Sequence, residues 1–257
     1  QEMGPASSAA PSALTPTAVN AAPFAPEAAQ AEDRTPALLR AQVLLDRAKF
    51  SPGVIDGKTG ENVRQAVAAY EEAKGLPVDG QLDQAVFDKL TQADTAPVLK
   101  SYTLTADDLK GPFLPIEHDL TAQSKMTRLG YQSVQEELAE KFHMTEELLA
   151  ALNPGVDFTR AGAVITVAAV GDDTLPAKVG LIEVDKADKA DKAFDAKGNL
   201  LAFYPATIGS DEHPAPSGVL KVSGVVHDPT YTFDPKRPTY KQKGVTTKHV
   251  VPAAPNN

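Results

Sequence analysis

Apolar residues recur at three- and four-residue spacing in the N-terminal half of the chain and in short β-branched runs towards its end. Leu38, Ala41, Leu45 and Ala48 share one helix face; Val63, Val67 and Tyr70 share a second; Leu82, Val86 and Leu90 share a third. Thr35-Pro36 opens the first helix, because Thr caps well and Pro suits the first helical position. Ser51-Pro52-Gly53 and Gly75-Leu76-Pro77 stop the first and second helices. Two more helices follow. Ser133-Val134-Gln135-Glu136 is a capping box for one, lined by Val134, Leu138 and Phe142. Thr145 caps the other, with Glu146 and Glu147 where the helix dipole favours negative charge and with Leu148, Leu149 and Leu152 along it. Asn153-Pro154-Gly155 ends it, and Ala163 to Val167 is strand-like. Beyond Gly171 the pattern predicts strands at Val179–Val184, Leu200–Tyr204 and Val219–Val222, the last two separated by a Pro-rich loop.

These elements predict an α+β multidomain chain. Residues 1–33, rich in Ala, Pro, Ser and Thr, read as a disordered, semi-rigid linker. Residues 34–93 form a three-helix domain, 94–125 a connector in which Leu99 to Leu109 adds a short strand and a helical turn, 126–170 a small α/β module and 171–257 an antiparallel β region. Within 34–93, Val54-Ile55-Asp56-Gly57 and Val78-Asp79-Gly80 repeat one turn ahead of a helix. Gly supplies a positive φ there, and Asp can accept from the following backbone amides.

At 42% hydrophobic and 23% charged residues, the chain has the composition of a folded protein. A net charge of -9 leaves no basic surplus to displace counterions from nucleic acid or to seek anionic membranes. No run is apolar enough to span a membrane. The chain has no cysteine, which excludes disulfides, thiolate metal sites and a cysteine nucleophile. His118, His143, His213, His227 and His249 show no metal-like spacing, and no cofactor is implied. Asp211-Glu212, adjacent on a strand, would point apart and do not suit paired-carboxylate chemistry.

The repeated Asp-Gly turns over residues 36–92 resemble the peptidoglycan-binding type 1 domain. That resemblance implies a ligand of peptidoglycan glycan strands, with Asp56, Arg64 and Gln65 as candidate contacts; for Asp56 the alternative is turn geometry. Leu138 to Phe142, Leu149 to Pro154 and Gly162 to Val167 resemble the latter part of a LysM module, with Met126 to Tyr131 in place of its first strand. This adds Asn153 and Asp157 as candidate sugar contacts, against a helix-cap role for Asn153 and a turn-sealing role for Asp157. Tyr204 to Gly209, Ala215 to Leu220, Val226 to Tyr231 and Pro255 to Asn257 resemble, in order, the opening half of a YkuD-type L,D-transpeptidase domain. The family's His and Cys would lie beyond Asn257, and an antiparallel domain stopping there would leave an open edge, so a longer chain is expected. The resemblances imply a periplasmic, wall-associated protein whose signal peptide has been removed. The YkuD-type resemblance implies an L,D-transpeptidase that forms a cysteine acyl-enzyme on a stem peptide and passes the acyl group to another stem, giving 3-3 cross-links, or to a wall-tethered protein, with the nucleophile lacking in residues 1–257. Its partners would be glycan strands, stem peptides and wall-tethered proteins. The alternative is a non-catalytic wall anchor or scaffold.

Overall fold

The computed structural model describes residues 14–26, 33–117, 119–209, 214–236 and 245–254. Its architecture is α+β, an N-terminal helical region with several small antiparallel sheets after it. Two compact units are formed. One runs to Thr103 and takes in Ala139–Val156 and Ala163–Thr207; the other comprises Leu104–Leu138, Asp157–Gly162 and the chain from Ile208.

The first unit begins with α1 (Pro16–Asn20), in the segment predicted to be a disordered linker. Of that segment, residues 1–13 and 27–32 lie outside the described residues. Residues 14–26 are docked instead of extended into solvent. Val19 is fully buried, and Ala22 packs with Ala37, Ala41 and Phe87. Phe24 meets the Phe87 ring at a centroid distance of 5.7 Å, and Arg40 donates to the Ala22 carbonyl. Apolar burial outweighs the segment's extended Pro-rich preference here.

Helices α2 (Pro36–Arg47), α3 (Glu61–Lys74) and α4 (Gln84–Ala93) form the helical core on the predicted faces, except that Ala48 is the C-cap of α2 and Leu82 precedes α4. Thr35 caps α2, its hydroxyl accepting from Leu38 N, and Gly75 ends α3 at φ 66°. Leu38, Leu45, Val67, Tyr70, Val86 and Leu90 are all buried, each contributing about 1.5–3 kcal/mol by leaving water. The Phe50 and Tyr70 rings meet edge-on at 5.4 Å.

After this core, β1 (Leu99–Thr103) pairs antiparallel with a later strand. The chain continues through α5 (Leu120–Gln123), α6 (Val134–Lys141) and α7 (Glu146–Leu152) to β2 (Val164–Ala168), the strand that pairs with β1 from Leu99↔Ala168 to Thr103↔Val164. The partner of the predicted Ala163–Val167 strand is therefore Leu99–Thr103. Met126–Tyr131 forms no strand, and the segment between β1 and α6 is a long insertion. Ile55 N donates to His143 O and Thr145 N to Ile55 O, tying the first Asp-Gly turn to the start of α7. His143 Nδ1 lies 3.0 Å from Asp46 Oδ1, and this bond raises the imidazole's pKa.

Next, β3 (Leu181–Asp185), β4 (Ala190–Phe194) and β5 (Leu200–Pro205) form an antiparallel meander in that order. The alternating Lys-Ala-Asp run from Lys186 to Lys192 supplies the β3–β4 turn and the first residues of β4. β5 packs against α3; Phe203 is buried, its N–H donating to Lys49 O while its carbonyl accepts from Ser51 N.

In the second unit, β6 (Tyr231–Phe233) pairs with β7 (His249–Val251). The strand predicted at Val219–Val222 is not formed. Val219, Leu220 and Val222 are exposed and pair with no strand among the described residues. Strand propensity alone cannot hold a segment whose backbone finds no ladder. Asp211-Glu212, His118, His213 and Pro255 to Asn257 lie outside the described residues.

Candidate functional site

Each Asp-Gly turn is gripped by a buried polar side chain from the preceding helix. On α2, Gln42 Oε1 accepts from Gly57 N at 2.7 Å and Asp56 N at 3.3 Å. Its Nε2 donates to Asp56 Oδ1 at 3.0 Å and Lys58 O at 2.9 Å. On α3, Glu71 Oε2 accepts from Gly80 N at 2.8 Å and Asp79 N at 3.0 Å. Within the turns, Asp56 accepts from Lys58 N and Asp79 from Gln81 N, both at 2.8 Å. Gly57 and Gly80 take φ of 75° and 70°, a region that penalises a side chain. At Gly80 the approach is also close, since a Cβ there would lie 2.9 Å from the Arg64 carbonyl oxygen.

The fixed turns bring their downstream arms together around a cleft of about 430 Å³. Thr59-Gly60 comes from the first turn and Gly80 to Asp83 from the second. Leu38 and Val63 add apolar side chains, and Phe24 and Pro26 of the docked N-terminal segment complete the lining. Arg64 is the cation of the cleft. It forms a fork with Glu61, Nε to Oε2 at 2.9 Å and Nη2 to Oε1 at 2.5 Å, and both side chains stay exposed. That pairing lowers the Glu61 pKa and raises that of Arg64. Asp83 is pinned as the cap of α4 by Val86 N at 2.8 Å. Burial pushes the Glu71 carboxyl up, against the Gly80 and Asp79 N–H groups that favour its charge. An apolar lining with a polar rim and one fixed cation suits a ring with hydrocarbon faces and hydroxyl or amide edges.

Residues 34–90 match the peptidoglycan binding domain family (PG_binding_1). The match spans both Asp-Gly turns and the helices that grip them. Neither a YkuD-type nor a LysM domain is detected, and no curated protein matches the chain.

The five candidate contacts do not converge on the peptidoglycan-binding domain's cleft. Arg64 lines it. Asp56 is occupied in the turn by Gln42 and Lys58 N, so geometry accounts for it. Gln65 donates to Glu61 Oε1 and to Asp188 O, outside the cleft lining. Asn153 is buried, donating to Leu149 O and Thr166 O and accepting from Thr166 N. It clips α7 to β2 and has no face left for sugar. Asp157 belongs to the other unit, exposed, its pKa lowered by bonds from Thr159 Oγ1 and N. Gln42, Glu71 and Phe24 are the contributors the sequence analysis missed. The signal for Phe24 was present, because Thr15-Pro16 repeats the Thr35-Pro36 start and Thr15 caps α1 in the same way.

No catalytic domain is detected. Ser124 Oγ lies 3.1 Å from His249 Nδ1, but its hydroxyl donates to Thr121 O at 2.8 Å. The other ring nitrogen of His249 faces Thr247 Oγ1 at 2.9 Å, a neutral partner. Among the described residues, no group of three or more His, Cys, Asp or Glu could hold a metal.

Proposed function

We propose that the protein is a non-catalytic peptidoglycan-binding anchor that seats glycan in the cleft between its two Asp-Gly turns. The observation that carries this is the convergence of both turns, each braced by its own buried side chain, on one cleft inside the segment matching the peptidoglycan binding domain family. Arg64 would contact acetamido or carboxylate oxygens, and Phe24 and Leu82 the hydrocarbon face of the sugar. Such a ligand belongs to the cell envelope, and no described helix is long and apolar enough to cross a membrane. A transpeptidase activity has no such support: no YkuD-type domain is detected, and the Val219–Val222 strand of the resemblance is not formed.

Co-sedimentation with purified insoluble sacculi tests the proposal. The protein should pellet saturably, and Leu82→Trp together with Arg64→Ala should release it. Equal pelleting of wild type and double variant would overturn the assignment of the cleft.

A further inference from the structure

We infer that a second, polar groove beside the cleft holds the peptide part of the same ligand, so that the protein reads stem-bearing glycan in preference to bare glycan. This rests on the peptidoglycan-binding proposal. The groove encloses about 480 Å³ between the first turns of α3, the β3–β4 turn and the exit of β5. Its α3 wall carries Glu61, Asn62 and Gln65; the facing wall carries Asp188, Lys189 and Thr207.

The two sites share one short stretch of helix. Gly60, Val63 and Arg64 line the cleft, while Glu61, Asn62 and Gln65 line the groove. The Arg64–Glu61 fork stands between them. The groove is pre-shaped. Gln65 Nε2 donates to Asp188 O at 3.1 Å, Ala206 N to Lys189 O at 2.7 Å, and Asp185 Oδ1 accepts from Ala187 N at 2.8 Å and Asp188 N at 3.0 Å. Lys189 sits at φ 51° within that turn.

The chemistry differs from that of the cleft. The amides of Asn62 and Gln65 match peptide N–H and C=O groups. Lys189 and Thr207 match a carboxylate, and Glu61 and Asp188 match an ammonium group. Ala187, Pro205 and Ala206 leave space for small alkyl side chains. A short, alanine-rich peptide bearing both an amine and a carboxylate satisfies this set. A neutral sugar leaves its charges unanswered, and an anion alone would meet two carboxylates.

The test compares binding of the whole chain to intact sacculi and to glycan strands stripped of stem peptides by an N-acetylmuramoyl-L-alanine amidase. Wild type should bind intact material more tightly. Lys189→Glu should lose about fivefold on intact sacculi, the scale of one partly exposed charged contact, and nothing on stripped strands. Ala187→Trp, which fills the groove without changing charge, should do the same. Circular dichroism melts confirm that both turn variants fold. Arg64→Ala should weaken binding to both materials. If the groove variants bind intact sacculi as wild type does, or lose equally on stripped strands, the groove is not a peptide subsite. If wild type binds neither material, the anchor proposal itself fails.

Discussion

The two Asp-Gly turns share one backbone shape, yet they are held by different chemistry. Gln42 gives the first turn two acceptor and two donor contacts from a neutral amide. Glu71 gives the second two accepted bonds on one carboxylate oxygen, from a position just as buried. The amide satisfies both its ends at no charging cost. The carboxylate forms stronger bonds to its N–H donors but must be desolvated to do so. The turns also differ in surroundings. Gly57 faces the Arg34 side chain, whose Nε donates to the Asp56 carbonyl at 2.8 Å, whereas Gly80 faces the α3 backbone at Arg64. The first turn is held by Gln42 together with Arg34 and the Ile55 backbone bonds, the second by Glu71 and close backbone packing.

The largest expected effect comes from breaking the neutral grip. Gln42→Ala leaves the Asp56 and Gly57 N–H groups and the Lys58 carbonyl short of their partner, and should cost about 3–4 kcal/mol. Chemical denaturation followed by circular dichroism measures it. A loss below about 1 kcal/mol would mean that water replaces the amide. The glycines come next and should separate. Gly80→Ala adds a backbone clash to a positive φ and should cost about 3 kcal/mol. Gly57→Ala meets only movable side-chain atoms and should cost about 1–2 kcal/mol. Equal losses would erase the distinction in packing.

Glu71→Gln turns the second grip into a copy of the first and should stabilise the protein at neutral pH by about 1 kcal/mol or less. The sign follows from burial, which raises the folded-state pKa of Glu71. Between the ordinary carboxylate pKa and that raised value, the folded chain holds more protons than the unfolded one. Stability from this group therefore falls as pH rises through the window. The difference between Glu71→Gln and wild type should grow as pH rises from the ordinary carboxylate range through the raised folded-state pKa and then level off. Exposed carboxylates with lowered pKa, such as Asp157 and Asp195, slope the other way in both proteins and cancel in the difference. A difference independent of pH would show that Glu71 carries no desolvation cost.

The helical domain was legible because its signals are local. Thr35-Pro36, the Asp-Gly turns and the apolar stripes each specify their own few residues, and they fold as the spacing predicts. What escaped depends on long-range contact. The β1–β2 pairing joins strands across a long insertion, so a short strand within Leu99–Leu109 could be read locally but its pairing with Ala163–Val167 could not. Val219–Val222 has the composition of a strand but no ladder among the described residues. At the site, Arg64 was legible from its place after the first turn. Gln42 and Glu71 were not, because a polar residue on an otherwise apolar helix face declares no partner until the turn folds back onto it. For Asn153 the sequence offered a helix cap or a sugar contact, and its three bonds close within the fold at the end of α7.

The smallest effect on stability should come from Arg64→Ala, and it separates the two roles the second turn combines. The Arg64 carbonyl packs beneath Gly80, a contact that any residue at this position retains. Its guanidinium reaches the cleft and pairs only with the exposed Glu61, an ion pair of the kind that adds little to folding. The melting temperature should therefore stay that of wild type while sacculus binding weakens roughly five- to tenfold, as expected for a buried-on-binding arginine. Arg64→Lys keeps the charge but loses the planar fork and should fall between the two. If Arg64→Ala instead lowers the melting temperature and leaves binding intact, the side chain braces the second turn. The cleft would then owe its selectivity to Phe24, Leu82 and the backbone of the two turns.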